Sequence, residues 1–213
     1  MICIKSNRTV VHDHLLEEYQ QEFKKKHVFV ISALLDTSLR NLIGKHLSDA
    51  SWYIKVHERK SSDNLLAKEF ALNLDNPLYK ILHFYMNHPH VIDAVKEITG
   101  ISDIMSFNGR IYRFDHSENC YDNWHTDINA VTNDRLVGLS LNLSDSVYEG
   151  GIFRLRNRES KTVYKEVKHD LWGGAHFFRI SPDLEHMVTG VKGTKPRIAY
   201  AGWFSKTNIK SKI

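Results

Sequence analysis

Residues 185–204 read EHMVTGVKGTKPRIAYAGWF. Two short runs, 185–191 and 197–204, are rich in β-branched and aromatic residues, and the Lys-Gly-Thr-Lys-Pro between them is turn chemistry. The pair therefore reads as two strands, the first carrying His186 and the second opened by Arg197. The same texture extends back to residue 101, with further strands expected near 104–114, 135–143, 151–156, 161–167 and 175–180. Many short strands at this spacing point to a sandwich or barrel.

The first hundred residues read differently. Residues 12–26 (HDHLLEEYQQEFKKK) place Leu15, Leu16, Tyr19 and Phe23 on one helical face, and HVFVIS after them reads as a buried strand. Asp36 is positioned to cap a second helix with Leu39, Leu42, Ile43 and Leu47 as its apolar positions. A strand from Trp52 to Val56, a polar loop (ERKSSDN) and a helix from Leu65 to Leu72 follow. Asn76-Pro77 opens another helix, and a last one runs from Val91 to Gly100. No Pro/Gly/Ser linker separates the halves. The expectation is an α+β fold in one domain, 1–213, with 1–100 as mainly helical support packed on one face of a β core at 101–205.

Composition narrows the function classes. The chain has 213 residues, 42% hydrophobic and 25% charged, enough to bury a core. No apolar run reaches the roughly 18 residues of a membrane span, and the first residues lack the pattern of a secretory signal, so a cytoplasmic protein is expected. Two distant cysteines make neither a disulfide framework nor a zinc knuckle. The net charge of +4 is spread rather than gathered on a stripe, which argues against a nucleic-acid partner. The lysines at 24–26 sit where a helix C-terminus favours cations.

The 13 histidines are the oddity. Tyr121-Asp122-Asn123-Trp124-His125-Thr126-Asp127 follows a strand, and in extended chain His125 and Asp127 point the same way. His186 comes 186 − 127 = 59 residues later and supplies a third ligand. Two His and one carboxylate on one face of an octahedron leave three positions open, the arrangement of non-haem Fe(II) oxygenases. A His-x-Asp pair alone arises readily by chance in so histidine-rich a chain. Arg197 strengthens the reading, 197 − 186 = 11 residues after the second His. An Arg in an apolar strand needs a carboxylate, either from a protein Asp or Glu or from a dicarboxylic co-substrate.

With these pieces in order, the sequence resembles the Fe(II)/2-oxoglutarate dioxygenases of the prolyl-4-hydroxylase-like branch. The resemblance rests on Arg113-Phe114, His125-Thr126-Asp127, Leu143-Ser144-Asp145 with Glu149-Gly150-Gly151, His186-Met187-Val188-Thr189 and Arg197-Ile198-Ala199 through Trp203-Phe204. It covers 104–204, and Phe29 to Leu47 resembles the family's opening strand and helix. It implies a double-stranded β-helix (jelly-roll, cupin-like), with His125, Asp127 and His186 binding Fe(II) and Arg197 pairing with the C5 carboxylate of 2-oxoglutarate. The implied reaction couples decarboxylation of 2-oxoglutarate by O₂ to hydroxylation of an unactivated C–H bond, with ascorbate as a stimulant. Implied substrates are an amino acid, a peptide or a small metabolite.

The chain departs from the family pattern at several positions. Phe114 stands where relatives have Tyr, leaving Tyr112 or Tyr121 to supply the phenol, and Trp124 is an extra residue before His125. Ala199 and Ala201 offer no hydroxyl to the carboxylate site, a lack that Asn142 is placed to offset. Trp203 reads equally as core or as a wall of the co-substrate pocket. His176 competes as distal ligand but breaks the spacing to Arg197. Asp127 argues against halogenation, and Trp203, six after Arg197, against a repair demethylase with a second Arg there. Lid residues are expected in 57–64 and 115–124. The alternatives are a desaturase or cyclase on the same iron site, and a non-catalytic jelly-roll module that binds a ligand. Oligomeric state is left open.

Overall fold

The structure, a computed structural model, describes residues 2–4, 9–11, 15–47, 53–60, 66–114, 122–128, 133–168 and 172–207. The expected lid segments 61–64 and 115–121, Tyr121 included, lie outside the described residues.

The elements run β1 (Ile2–Ile4), β2 (Thr9–Val11), α1 (Leu16–Lys26), β3 (Val28–Ile31), α2 (Thr37–Leu47), β4 (Tyr53–Lys60), β5 (Leu66–Leu72), α3 (Pro77–Met86) and α4 (Pro89–Thr99). Then come β6 (Ser106–Phe114), β7 (Asp122–His125), β8 (Arg135–Asn142), β9 (Glu149–Gly150), β10 (Phe153–Asn157) and β11 (Val163–Val167). The chain ends with β12 (Ala175–Arg179), β13 (Leu184–Val188), β14 (Val191–Lys192) and β15 (Arg197–Ser205). The major sheet has seven strands in the order β3-β12-β8-β15-β6-β5-β4, and the minor sheet four, β11-β10-β13-β7. Neighbouring strands in both sheets are antiparallel, and the pairing produces the jelly-roll that the resemblance implied, a sandwich of the kind expected from the strand count.

Strand alternation separates two cores. On the helix side of the major sheet, Phe29, Phe107, Ile111, Val137, Leu139, Phe177, Ile198, Tyr200 and Phe204 join Phe23, Leu39, Ile43, Leu82, Met86 and Val95 from all four helices. One apolar cluster thus binds the first hundred residues to the β core. Between the sheets, Val28, Phe153, Leu155, Phe178 and Leu184 form a second cluster. Because side chains alternate, Arg197, Ala199, Ala201 and Trp203 leave the helix side and face the minor sheet.

Several helix signals hold. Asp36 Oδ1 accepts from the Leu39 N–H at 2.8 Å, capping α2, and the lysines at 24–26 occupy the last turn of α1. Leu39, Ile43 and Leu47 are buried, whereas Leu42 is 46% exposed. The expected helix at Leu65 to Leu72 is instead strand β5, and Glu58 to Lys60 of the expected polar loop belong to β4. LAKEFAL satisfies a helical period, but β5 is paired on both edges, to β4 along its length and to β6 at Phe70↔Arg113 and Ala71↔Tyr112. Helix propensities differ by only tenths of a kcal/mol per residue, so these ladders override them. The first hundred residues consequently give three strands, β3, β4 and β5, to the major sheet.

Candidate metal and co-substrate site

His125 ends β7 and His186 lies in β13, and the two are register partners across the ladder with ring centroids 4.2 Å apart. Asp127, two residues beyond His125, brings Oδ1 within 3.9 Å of His125 Nε2 and Oδ2 within 3.5 Å of His186 Nε2. Among the described residues these three are the group able to hold a metal ion, with one donor atom from each inside 4.8 Å of the others. His176, the competing ligand, is excluded from that group and sits on β12, 1% exposed, against the Phe153 ring.

The donor chemistry suits a divalent cation. His125 Nδ1 lies 2.6 Å from the Asn123 carbonyl. A carbonyl only accepts, so Nδ1 carries a proton and Nε2, on the side of Asp127 and His186, is the nitrogen that can ligate a cation. Burial, aided by the nearby His125, lowers the His186 pKa to about 3 against the opposing pull of Asp127. His186 is therefore neutral, with a nitrogen lone pair available, at any physiological pH. Asp127 is held from both sides: Trp203 Nε1–H donates to Oδ2 at 2.5 Å and Arg135 Nη1–H to Oδ1 at 3.2 Å. Two imidazole nitrogens and one carboxylate, three protein donors in all, match an iron site with open positions rather than a closed structural zinc.

The triad opens onto a cavity of about 260 Å³ between the sheets. Its floor holds Arg197, 5% exposed, whose Nη2–H donates to Ser140 Oγ at 3.1 Å and whose guanidinium lies 5.3 Å from the Phe114 ring. No ion pair among the described residues uses Arg197. Of the two partners open from sequence, a protein carboxylate is not supplied among the described residues, and a buried guanidinium faces a cavity big enough for a small dicarboxylate. Gly151 makes the approach feasible: its φ is +61°, and a Cβ there would meet Arg197 Cδ at 2.8 Å.

The remaining sequence candidates distribute unevenly. Tyr112 and Phe114 line the cavity from β6, so Tyr112 is a described phenol that reaches the cavity wall beside the vacated tyrosine position. Trp203 also lines it, but its N–H is engaged with Asp127, a role sequence reading did not foresee. Asn142 is buried opposite Ala199, and its Oδ1 accepts from the Ser144 N–H at 3.2 Å, outside the cavity lining. The extra residue Trp124 stacks beneath the Arg156 guanidinium at 3.7 Å, and Arg156 bonds Glu185 at 2.5 Å. Trp124 and Glu185 precede the two histidines in sequence, so this outer-face brace clamps the strands that carry them. Arg135 and Ser140, both in the cavity wall, were missed; they come from β8, outside the His-x-Asp motif, and bear no local signature, whereas His176, weighed in sequence only as a competing ligand, lines the wall as well.

Comparison with known proteins agrees with this geometry. Residues 110–205 match the 2OG-Fe(II) oxygenase superfamily model. No curated protein sequence matches the chain. Among solved structures, a Pseudomonas putida prolyl-4-hydroxylase is similar at TM-score 0.69 and 12% identity, covering 91% of this chain and 100% of that one. A Trichoplax adhaerens prolyl hydroxylase in complex with a hypoxia inducible factor peptide aligns at 0.61 and 12%, covering 92% and 94%. The alpha ketoglutarate dependent epimerase SnoN from nogalamycin biosynthesis aligns at 0.62 and 12%, covering 93% and 89%. At these identities the likeness is one of fold, a prolyl-4-hydroxylase-like double-stranded β-helix. Residues 110–205, which hold the complete metal and arginine set, are thus similar to the 2OG-Fe(II) oxygenase superfamily, whose members use Fe(II), 2-oxoglutarate and O₂.

Proposed function

We propose that this chain is an oxygenase that hydroxylates an unactivated C–H bond of an amino acid, a peptide or a small metabolite. The observation that carries the reading is Arg197, a buried cation without a carboxylate partner among the described residues, in the same cavity as the triad. His125, Asp127 and His186 are the proposed iron ligands. Arg197 receives the far carboxylate of 2-oxoglutarate, orienting the near end toward the triad, with Ser140 Oγ holding the guanidinium. Tyr112 offers a phenolic donor at the cavity wall, and Asn142 acts from behind by fixing the 142–144 turn.

The iron, once bound, would supply O₂ activation coupled to decarboxylation of the co-substrate to succinate. The chain's own part is positional. Phe114, Phe153 and Phe178 give the cavity apolar walls that limit water. Asp122, whose Oδ2 is 3.5 Å from His125 Nε2, lines the cavity on the side of the expected lid.

Residues 1–213 are read as one domain, supported by the shared cluster of helices and major sheet. No helix among the described residues is long and apolar enough to cross a membrane, and a cytoplasmic setting suits a chain with only two cysteines, far apart in sequence. The test is succinate formation from 2-oxoglutarate with Fe(II) and O₂, screened against amino acids, peptides and metabolites. Substrate-dependent succinate with an oxygenated product is expected. Absence of any turnover, uncoupled turnover included, would instead favour a ligand-binding jelly-roll.

A further inference from the structure

We propose that Trp203 and Arg135 form a donor clamp whose task is to hold the Asp127 carboxylate in its metal-binding orientation, an inference that rests on the reading of His125, Asp127 and His186 as ligands. Three contacts close a triangle. Trp203 Nε1–H donates to Asp127 Oδ2 at 2.5 Å, Arg135 Nη1–H donates to Oδ1 at 3.2 Å, and the Arg135 guanidinium lies 3.5 Å from the centre of the Trp203 ring. Each carboxylate oxygen thus has its own donor and keeps a lone pair for a cation. The two donors are also chemically mute toward a metal: an indole N–H and a guanidinium have no acceptor to offer it.

The placement explains why Asp127 needs such help. His125 and His186 are fixed by the β7–β13 ladder, but Asp127 lies past the end of β7, where no ladder holds it. The clamp comes from the opposite sheet. Trp203 and Arg135 stand on the adjacent strands β15 and β8, where Trp203 pairs with Gly138 and Ser205 with Arg135. Six residues before Trp203 on the same strand face, Arg197 anchors the proposed co-substrate, so β15 sets both the metal carboxylate and the dicarboxylate. An unclamped aspartate would have to surrender side-chain rotation on binding metal, and groups that orient a ligand in this way typically contribute roughly ten- to a hundredfold to metal affinity.

Trp203→Phe is the direct test, because it keeps an aromatic face for Arg135 and deletes only the donor. Mn(II), a redox-inert stand-in for Fe(II), is titrated into the full-length protein under anaerobic conditions and followed by the loss of its free-ion EPR signal. The expected result is a dissociation constant raised roughly ten- to a hundredfold in Trp203→Phe with a circular dichroism spectrum like the parent's. Arg135→Lys retains the charge at a side chain 22% exposed and loses the planar stack; it gives a second reading, a several-fold weakening, if Trp203→Phe does not fold. A merely structural role would lower the melting temperature without moving Mn(II) affinity. Parental Mn(II) affinity in a folded Trp203→Phe, with His186→Ala abolishing binding, overturns the clamp and leaves the ligand reading intact. Unchanged binding in His186→Ala overturns the ligand reading itself.

Discussion

His125 and His186 face each other across the β7–β13 ladder with their rings 4.2 Å apart, although 186 − 125 = 61 residues separate them in the chain. Their juxtaposition follows from the backbone pairing of β7 with β13. His125→Ala and His186→Ala should each abolish stoichiometric Fe(II) binding in anaerobic calorimetry while the protein remains folded. His176→Ala should bind Fe(II) like the parent. Tight Fe(II) binding by either ligand variant would refute the assignment.

Arg197 makes a prediction about the co-substrate. Hydrogen bonds to charged groups contribute about 1.5–3 kcal/mol each, so Arg197→Ala should weaken 2-oxoglutarate binding roughly ten- to a hundredfold or more and leave Fe(II) affinity nearly unchanged. Arg197→Lys should not fully restore it, since a point charge cannot reproduce the planar fork. Equal 2-oxoglutarate affinity in parent and Arg197→Ala would remove Arg197 from the site.

Gly151 is predicted to be intolerant of a side chain. Its φ of +61° costs an L-residue about 1–2 kcal/mol, and the added Cβ would press on Arg197 Cδ at 2.8 Å and the Tyr148 ring at 2.8 Å. Gly151→Ala should lower both the melting temperature and 2-oxoglutarate affinity, whereas Gly44→Ala, with nothing within 4 Å, should lower neither.

Asp127 bears on the outcome of the reaction. With a carboxylate in the third protein position, no place is left for halide beside co-substrate and O₂. The product formed from the true substrate should be the same with and without chloride, and ¹⁸O₂ should label a hydroxylated product in mass spectrometry. A chlorinated product would remove Asp127 from the ligand set; loss of two hydrogens without oxygen gain would retain the iron site and point to desaturation or cyclisation.

Acid should destabilise the metal-free protein through His186, whose pKa burial lowers to about 3, and also through two histidines remote from the site. Burial lowers the pKa of His27, helped by Arg179 and opposed by Asp183, and burial likewise lowers that of His83, both from an ordinary value of 6.5. The unfolded chain therefore binds these protons more readily, so the stability they contribute is complete above about pH 6.5 and is lost as pH falls below it. The melting temperature should drop between pH 7 and pH 5. His27→Asn, which tolerates the left-handed φ of 59° at the α1 C-cap, should flatten that slope; an unchanged slope would take His27 out of the account.

The His-x-Asp motif, the distal His186 and the Arg197 that follows it were legible in the chain because alternation and turn residues reveal strands locally, and each residue lies in or beside one. The strand count and the cap at Asp36 were legible for the same reason. The region Leu66–Leu72 was misread because its apolar spacing fits a helix, and only the two ladders that flank it select the strand. Arg135 and Ser140 were invisible as site residues, and Trp203 was ambiguous between core and pocket. Their roles depend on which strands are neighbours: Ser140 reaches Arg197 because β8 pairs with β15, and Trp203 reaches Asp127 because the two sheets face each other. The sequence by itself determined which side chains could bind a metal and a dicarboxylate. Only the tertiary structure decided which donors hold those side chains in place, because hydrogen bonds between distant segments follow strand order and sheet packing, neither of which is written in any one segment.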